Sequence, residues 1–116
     1  MIVGIQGTSS FDDYQVFLRA MAVSLSGLLA EDKEFNIYSA GPGVINNMAS
    51  EFTNLSERGL KSRGKKIKFY KVSPSWMSEN LESLDQFVFL SKPKEPLSKL
   101  ATEAQHKNID VGFYRH

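Results

Sequence analysis

A strand pattern that runs straight into a glycine turn and a helix start constrains this chain more than any other stretch: Met1-Ile-Val-Gly-Ile-Gln-Gly-Thr-Ser-Ser10. Ile2, Val3 and Ile5 supply the β-branched bulk of a buried strand. Gly7 allows a tight turn where a side chain would obstruct the backbone. Thr8, Ser9 and Ser10 offer hydroxyls and a helix N-cap, and Asp12 and Asp13 fall in the first helical turn, where the helix dipole favours acids. Strand, Gly/Ser turn and helix N-terminus together make an anion-binding corner in many α/β proteins.

The same alternation repeats along the chain. A first helix is expected over Phe11–Leu29, with Tyr14, Phe17, Leu18, Met21, Leu25, Leu28 and Leu29 spaced three and four apart on one stripe. Phe35–Ser39 reads as a second strand, closed by a second glycine-bearing corner, Ser39-Ala-Gly-Pro-Gly43. A second helix follows over Val44–Arg58, and Gly59 is its expected stop. Leu60–Lys66 reads as a basic loop, and Lys66–Val72 as a strand in which lysines alternate with Ile67 and Phe69. Lysine alternation suits an edge strand, where charge discourages edge-to-edge pairing. Pro74 to Leu84 gives a short helix or wrapped loop around Trp76. Gln86–Leu90 is continuously apolar, the mark of a central strand. Pro96 is expected in the first turn of a helix ending near Asn108, and Val111–Tyr114 is a last strand.

Strands that alternate with helices predict an α/β fold, a Rossmann-like parallel sheet of about five strands with helices on both faces. Right-handed crossovers leave few topologies, of which the order 3-2-1-4-5 puts the lysine-bearing third strand at an edge. Ligands of such sheets sit beyond the carboxyl ends of the strands, at the switch point. That gathers Gly7–Ser10, Ala40–Asn46 and Ser91–Glu95 around one crevice. The 116 residues fit a single domain. No apolar run approaches the length of a membrane span, and no basic segment precedes the first strand as in a signal peptide. The absence of cysteine excludes disulfides and fits a cytoplasmic protein. A net charge of +1 gives no global drive toward nucleic acid or anionic lipid.

Ile2-Val-Gly-Ile-Gln-Gly-Thr-Ser-Ser-Phe-Asp-Asp-Tyr14 resembles the opening of the SLOG superfamily, in particular its small YspA-like branch, where a strand leads to Gly-Ser-Arg and an aromatic–Asp–Asp–Tyr helix start. Asn36-Ile-Tyr-Ser-Ala-Gly-Pro-Gly-Val-Ile-Asn-Asn-Met-Ala49 is similar to that family's second strand, its Ser-Gly-Gly-Ala-Arg-Gly-Ala-Asp corner and the following helix. Leu84–Leu90 is similar to the segment ending in the next strand. The resemblance spans nearly the whole chain. It implies a Rossmann-like fold that binds nucleotide-derived ligands; related members include DNA-processing proteins and phosphoribohydrolases. Its members often pair through helices, which makes a homodimer an expectation. In register, Ala40 stands for the first family glycine of the second corner, Val44 for the third, Gly43 for the arginine and Asn46 for the aspartate. The later Gly-Thr corner is replaced by Lys94-Glu-Pro-Leu97, and the phosphoribohydrolase motif is absent. These changes count against tight phosphate binding, and more strongly against hydrolysis.

Candidate ligand-binding residues are therefore Gly7, Thr8, Ser9 and Ser10 at the first corner, Ala40, Gly41, Gly43 and Asn46 at the second, and Ser91 at the third. Amide N–H groups and hydroxyls can hold a phosphate, and Asn46 a ribose hydroxyl or base edge. A capped helix start accounts for the first corner equally well, and a plain turn for the second. Arg58, Lys61, Arg63, Lys65, Lys66, Lys68 and Lys71 form the strongest charge cluster. With Trp76 it is a candidate docking surface for a partner protein, although a solvated loop and edge strand explain the charge too. Nucleic-acid motifs are missing, so nucleic acid is not the expected partner. His106 and His116 have no partners at metal-ligand spacing, and neither a metal nor a cofactor is expected. Asp12 and Asp13 are adjacent and point to different helix faces, so they make no catalytic dyad. The leading expectation is a small, non-catalytic protein that binds a nucleotide or nucleotide-derived ligand as sensor, sequestering agent or regulator. The alternative is an accessory or inhibitory factor, of the kind a phage or mobile element carries, that docks on a larger host protein. A nucleoside-monophosphate phosphoribohydrolase is the third reading, without an identifiable acid or base.

Overall fold

In the computed structural model, which describes residues 1–116, the apolar segments become five parallel strands: β1 (Ile2–Gly7), β2 (Glu34–Ser39), β3 (Lys66–Lys71), β4 (Gln86–Ser91) and β5 (Asp110–Arg115). Between them run α1 (Tyr14–Leu25), α2 (Gly43–Ser62), α3 (Pro74–Glu79) with a short 3-10 turn, and α4 (Lys99–His106). The sheet order is β3-β2-β1-β4-β5, the Rossmann-like arrangement that the alternation predicts. Ile5 lies opposite Ser39 on one side and Val88 on the other, which centres β1.

The two-residue period of the strands sorts their side chains into two cores. Val3, Ile5, Phe35, Ile37, Val88 and Leu90 pack with Phe17 and Met21 of α1 and with Ile45, Ala49 and Phe52 of α2. Phe87 and Phe89 turn the other way and pack with Met77 of α3 and Leu100, Ala101 and Ala104 of α4. Each fully buried aromatic or aliphatic side chain contributes about 1.5–3 kcal/mol of transfer free energy. At Gly4 the α3 segment and the turn after it pack directly on the sheet: a Cβ there would meet Leu84 Cδ1 at 2.6 Å and Met77 Sδ at 2.8 Å.

Several boundaries differ from those expected. The cap of α1 is Asp13, whose Oδ1 accepts from the Val16 N–H at 3.1 Å; Ser10 does not cap the helix. That helix stops at Leu25, and Leu29 lies exposed beyond it. α2 passes through Gly59, which faces open space, and ends one turn later at Ser62. Its stop is Gly64, at φ +73°: the Gly64 N–H bonds Lys61 O and the Lys65 N–H bonds Leu60 O, each at 2.9 Å. This paired closure is the Schellman motif, so most of the expected basic loop is helix end. Ser98, not Pro96, starts α4; its hydroxyl accepts from the Ala101 N–H at 3.0 Å. No helix is long and apolar enough to cross a membrane.

Candidate functional site

The carboxyl ends of β1, β2 and β4 lie side by side, so the topology does bring the three sequence-predicted segments together. What they form is a closed seam. The Gly7 N–H donates to Gly41 O at 3.0 Å, tying the first corner to the second. The Thr8 N–H donates to Leu90 O at 3.0 Å, tying the first corner to β4. Gly7 is needed for this approach, since a Cβ there would sit 2.7 Å from both Leu90 O and Ile45 Cδ1. Two backbone donors of the first corner, those of Gly7 and Thr8, are thus already bonded within the chain.

The hydroxyls are bonded too, and their partner is a carboxylate. Thr8 Oγ1 donates to Glu95 Oε1 at 2.7 Å and Ser10 Oγ to Glu95 Oε2 at 2.6 Å. The Lys92 N–H donates to Glu95 Oε1 at 2.6 Å. The loop that aims Glu95 back into the corner turns at Lys94, which holds φ at +71°. The hydrogen bonds from Ser10, then Thr8, then the Lys92 N–H hold the Glu95 carboxyl below the usual range, against the opposing pull of burial. Two further clasps cross the seam. Lys92 Nζ reaches Asp12 Oδ1 at 2.8 Å, and the Arg115 guanidinium donates to the Glu95 carbonyl. The Asp12 hydrogen bond raises the Lys92 pKa above its ordinary value.

The second corner is partly satisfied by its own side chains. Ser39 Oγ donates to Asn46 Oδ1 at 2.5 Å and accepts from the Gly41 N–H at 3.2 Å. Gly41 holds φ at +86°, a conformation an L side chain rarely adopts. No side chain caps α2, so the N–H groups of its first two residues, Gly43 and Val44, have no intrahelical acceptor. Ala40 is buried against α3 and α4, Ser9 is exposed, and Ser91 is fully buried with its Oγ unpartnered.

The basic residues separate into two groups. Lys65 is buried, and its ammonium donates to the carbonyls of Leu29 (3.0 Å), Ala30 (3.3 Å) and Asp32 (2.5 Å). It therefore holds the α1–β2 connection and is not part of the exposed surface. Arg58, Lys61, Arg63 and Lys66 are exposed along the C-terminal half of α2 and the start of β3. Trp76 is half-buried and stacks on Tyr38 (4.9 Å between centroids, 10° between planes), which stacks in turn on Tyr70 (4.7 Å, 18°). It packs at the margin of the core that α3 and α4 form with the sheet.

Glu95, Tyr38 and Tyr70 are the residues whose roles sequence reasoning missed. The contact between Ser10 and Glu95 joins residues 85 positions apart, and no local pattern announces it. No group of three His, Cys, Asp or Glu side chains is arranged to hold a metal ion. No family model, curated protein or solved structure matches this chain.

Proposed function

We propose that this chain is a non-catalytic interaction protein, an accessory or inhibitory factor that docks on a partner protein. Its Rossmann-like scaffold has a ligand crevice filled by the chain's own groups. The observation that carries this reading is the Glu95 carboxylate, which takes the hydroxyls of Thr8 and Ser10 and the Lys92 N–H. An anionic ligand entering there would have to break all three bonds and would meet a like charge. The surface that remains for recognition is cationic and aromatic, from Lys61 and Lys66 to the Tyr70–Tyr38–Trp76 stack.

A nucleotide-derived ligand is the second reading, and one observation favours it: the uncapped amides of Gly43 and Val44 beside Asn46. Calorimetric titration with adenosine monophosphate, ADP-ribose and inorganic phosphate separates the two. Docking predicts no heat at millimolar ligand. It also predicts a partner that the immobilised chain retains from lysate and that the double charge reversal Lys61→Glu/Lys66→Glu releases. Saturable nucleotide binding by the unaltered chain would overturn docking in favour of the second reading.

A further inference from the structure

We infer that the outer edge of β3 accepts an acidic, extended segment of the partner as a sixth strand. This inference rests on the docking reading and specifies the partner's chemistry. β3 pairs with β2 alone, so its other edge has no sheet partner. On the paired side, the Lys66 N–H donates to Lys33 O and the Val72 N–H to Ser39 O. Backbone groups of alternate residues in a parallel ladder point to opposite sides. The N–H and C=O groups of Ile67, Phe69 and Lys71 therefore face outward. Such a row of free groups is a template for strand addition.

The charge around this edge selects the occupant. Between Glu57 and Glu79 the sequence holds seven lysines and arginines and no acid. Lys65 is withdrawn into the interior; the other six are exposed. A groove of about 300 Å³ follows the edge, bounded by Glu57 and Lys61 of α2 and by Lys66, Ile67 and Lys68. Two copies pairing through this edge would set lysine against lysine, which is unfavourable. An acidic strand meets the opposite situation, and complementary charge fixes its register. The strand at the other edge, β5, has one acid and one base, Asp110 and Arg115, and carries no such bias.

Alternation along β3 sets the pattern of the guest. Lys66, Lys68 and Tyr70 point to one face of the sheet, and Ile67 and Phe69 to the other, under α2. A guest strand of alternating carboxylates and apolar residues puts its acids beside the lysines and its apolar side chains beside Ile67. The stack of Tyr70 on Tyr38 and Trp76 holds the far end of the strand in place.

Fluorescence anisotropy with a labelled, end-blocked peptide of alternating glutamate and valine tests this. The intact chain should bind it saturably. Of two versions of this peptide N-methylated at alternate residues, one in each register, the version whose methyl groups replace the donors facing β3 should bind at least about tenfold more weakly, because it lacks the pairing donors, and the other should bind like the unmethylated peptide. A lysine–valine peptide and an oligothymidylate of equal length should also bind at least about tenfold more weakly, and Lys61→Glu/Lys66→Glu should weaken the acidic peptide by a similar factor without changing the circular dichroism spectrum. Equal binding of both methylated versions and the unmethylated peptide, all lysine-dependent, overturns strand addition while leaving the docking reading standing. Stronger binding of the oligothymidylate overturns the inference in favour of a polyphosphate ligand. No saturable binding of the acidic peptide overturns it as well, and release of the retained partner by the same charge reversal then shows separately whether docking survives.

Discussion

Two hydroxyls, Tyr14 Oη and Ser91 Oγ, are buried in this fold without a hydrogen-bond partner. A buried polar group left unpaired costs about 1–3 kcal/mol relative to one that is bonded or solvated. Burial, followed by the charge of Glu51, raises the Tyr14 pKa and keeps the phenol neutral. Tyr14→Phe should therefore be neutral or stabilising by about 1 kcal/mol, because it removes the unpaired oxygen and keeps the ring that stacks on Phe17. Ser91→Ala should behave in the same way, and urea unfolding midpoints for the two variants check both expectations. A loss of stability at Ser91 would point to a partner for its hydroxyl in solution. At this scale the sequence is legible by type and not by partner. Lys65 reads as one lysine of a basic run, yet three carbonyls of the α1–β2 connection draw it inside. Ser10 and Asp13 are both good helix caps; Glu95, far along the chain, claims Ser10 and leaves the cap to Asp13.

Element by element, the glycines of β1 show how closely the layers approach. At Gly4 an added methyl meets the ends of Leu84 and Met77, side chains that can shift. At Gly7 it meets a backbone carbonyl, Leu90 O, which cannot shift without breaking its bond from the Thr8 N–H. Overpacking costs about 1–3 kcal/mol, so Gly4→Ala should fall at the low end and Gly7→Ala at or beyond the high end. Thermal unfolding of the two single variants tests that ranking, and equal losses would contradict it. The strands and their order were readable because the period of two and the lysine alternation of β3 are strong local signals. Helix ends were less readable. Gly59 resembles a stop, but a glycine facing open space costs a helix only about 1 kcal/mol, and Leu60 repays it by burial. Termination waits for Gly64, where a left-handed residue closes the helix.

For the whole molecule, the Glu95 seam joins the loop after β1 to the loop after β4, and the Arg115 guanidinium adds the end of β5. The carboxyl is held below its ordinary pKa by hydrogen bonds from Ser10, Thr8 and the Lys92 N–H. A group with a depressed native pKa stabilises the fold fully above its unfolded value, about 4.3 for glutamate, and that stabilisation is lost as pH falls through the lower native value. Glu34, depressed by its hydrogen bond from Lys68, adds a second contribution of the same sign at the sheet edge. The two lysines with raised pKa values, Lys92 and Lys68, act oppositely: their contribution persists through neutral pH and fades only above the ordinary lysine range, about 10.4. Glu95→Gln retains the shape of the seam but not its charge. Its stability should fall below that of the unaltered chain at neutral pH, and the two should converge as acid protonates Glu95. Urea titrations at neutral pH and at about pH 3 measure the gap at each end. A gap that stays constant with pH would mean that the carboxylate charge contributes nothing to closure and that the seam is held by the shape and hydrogen bonds of residue 95 alone.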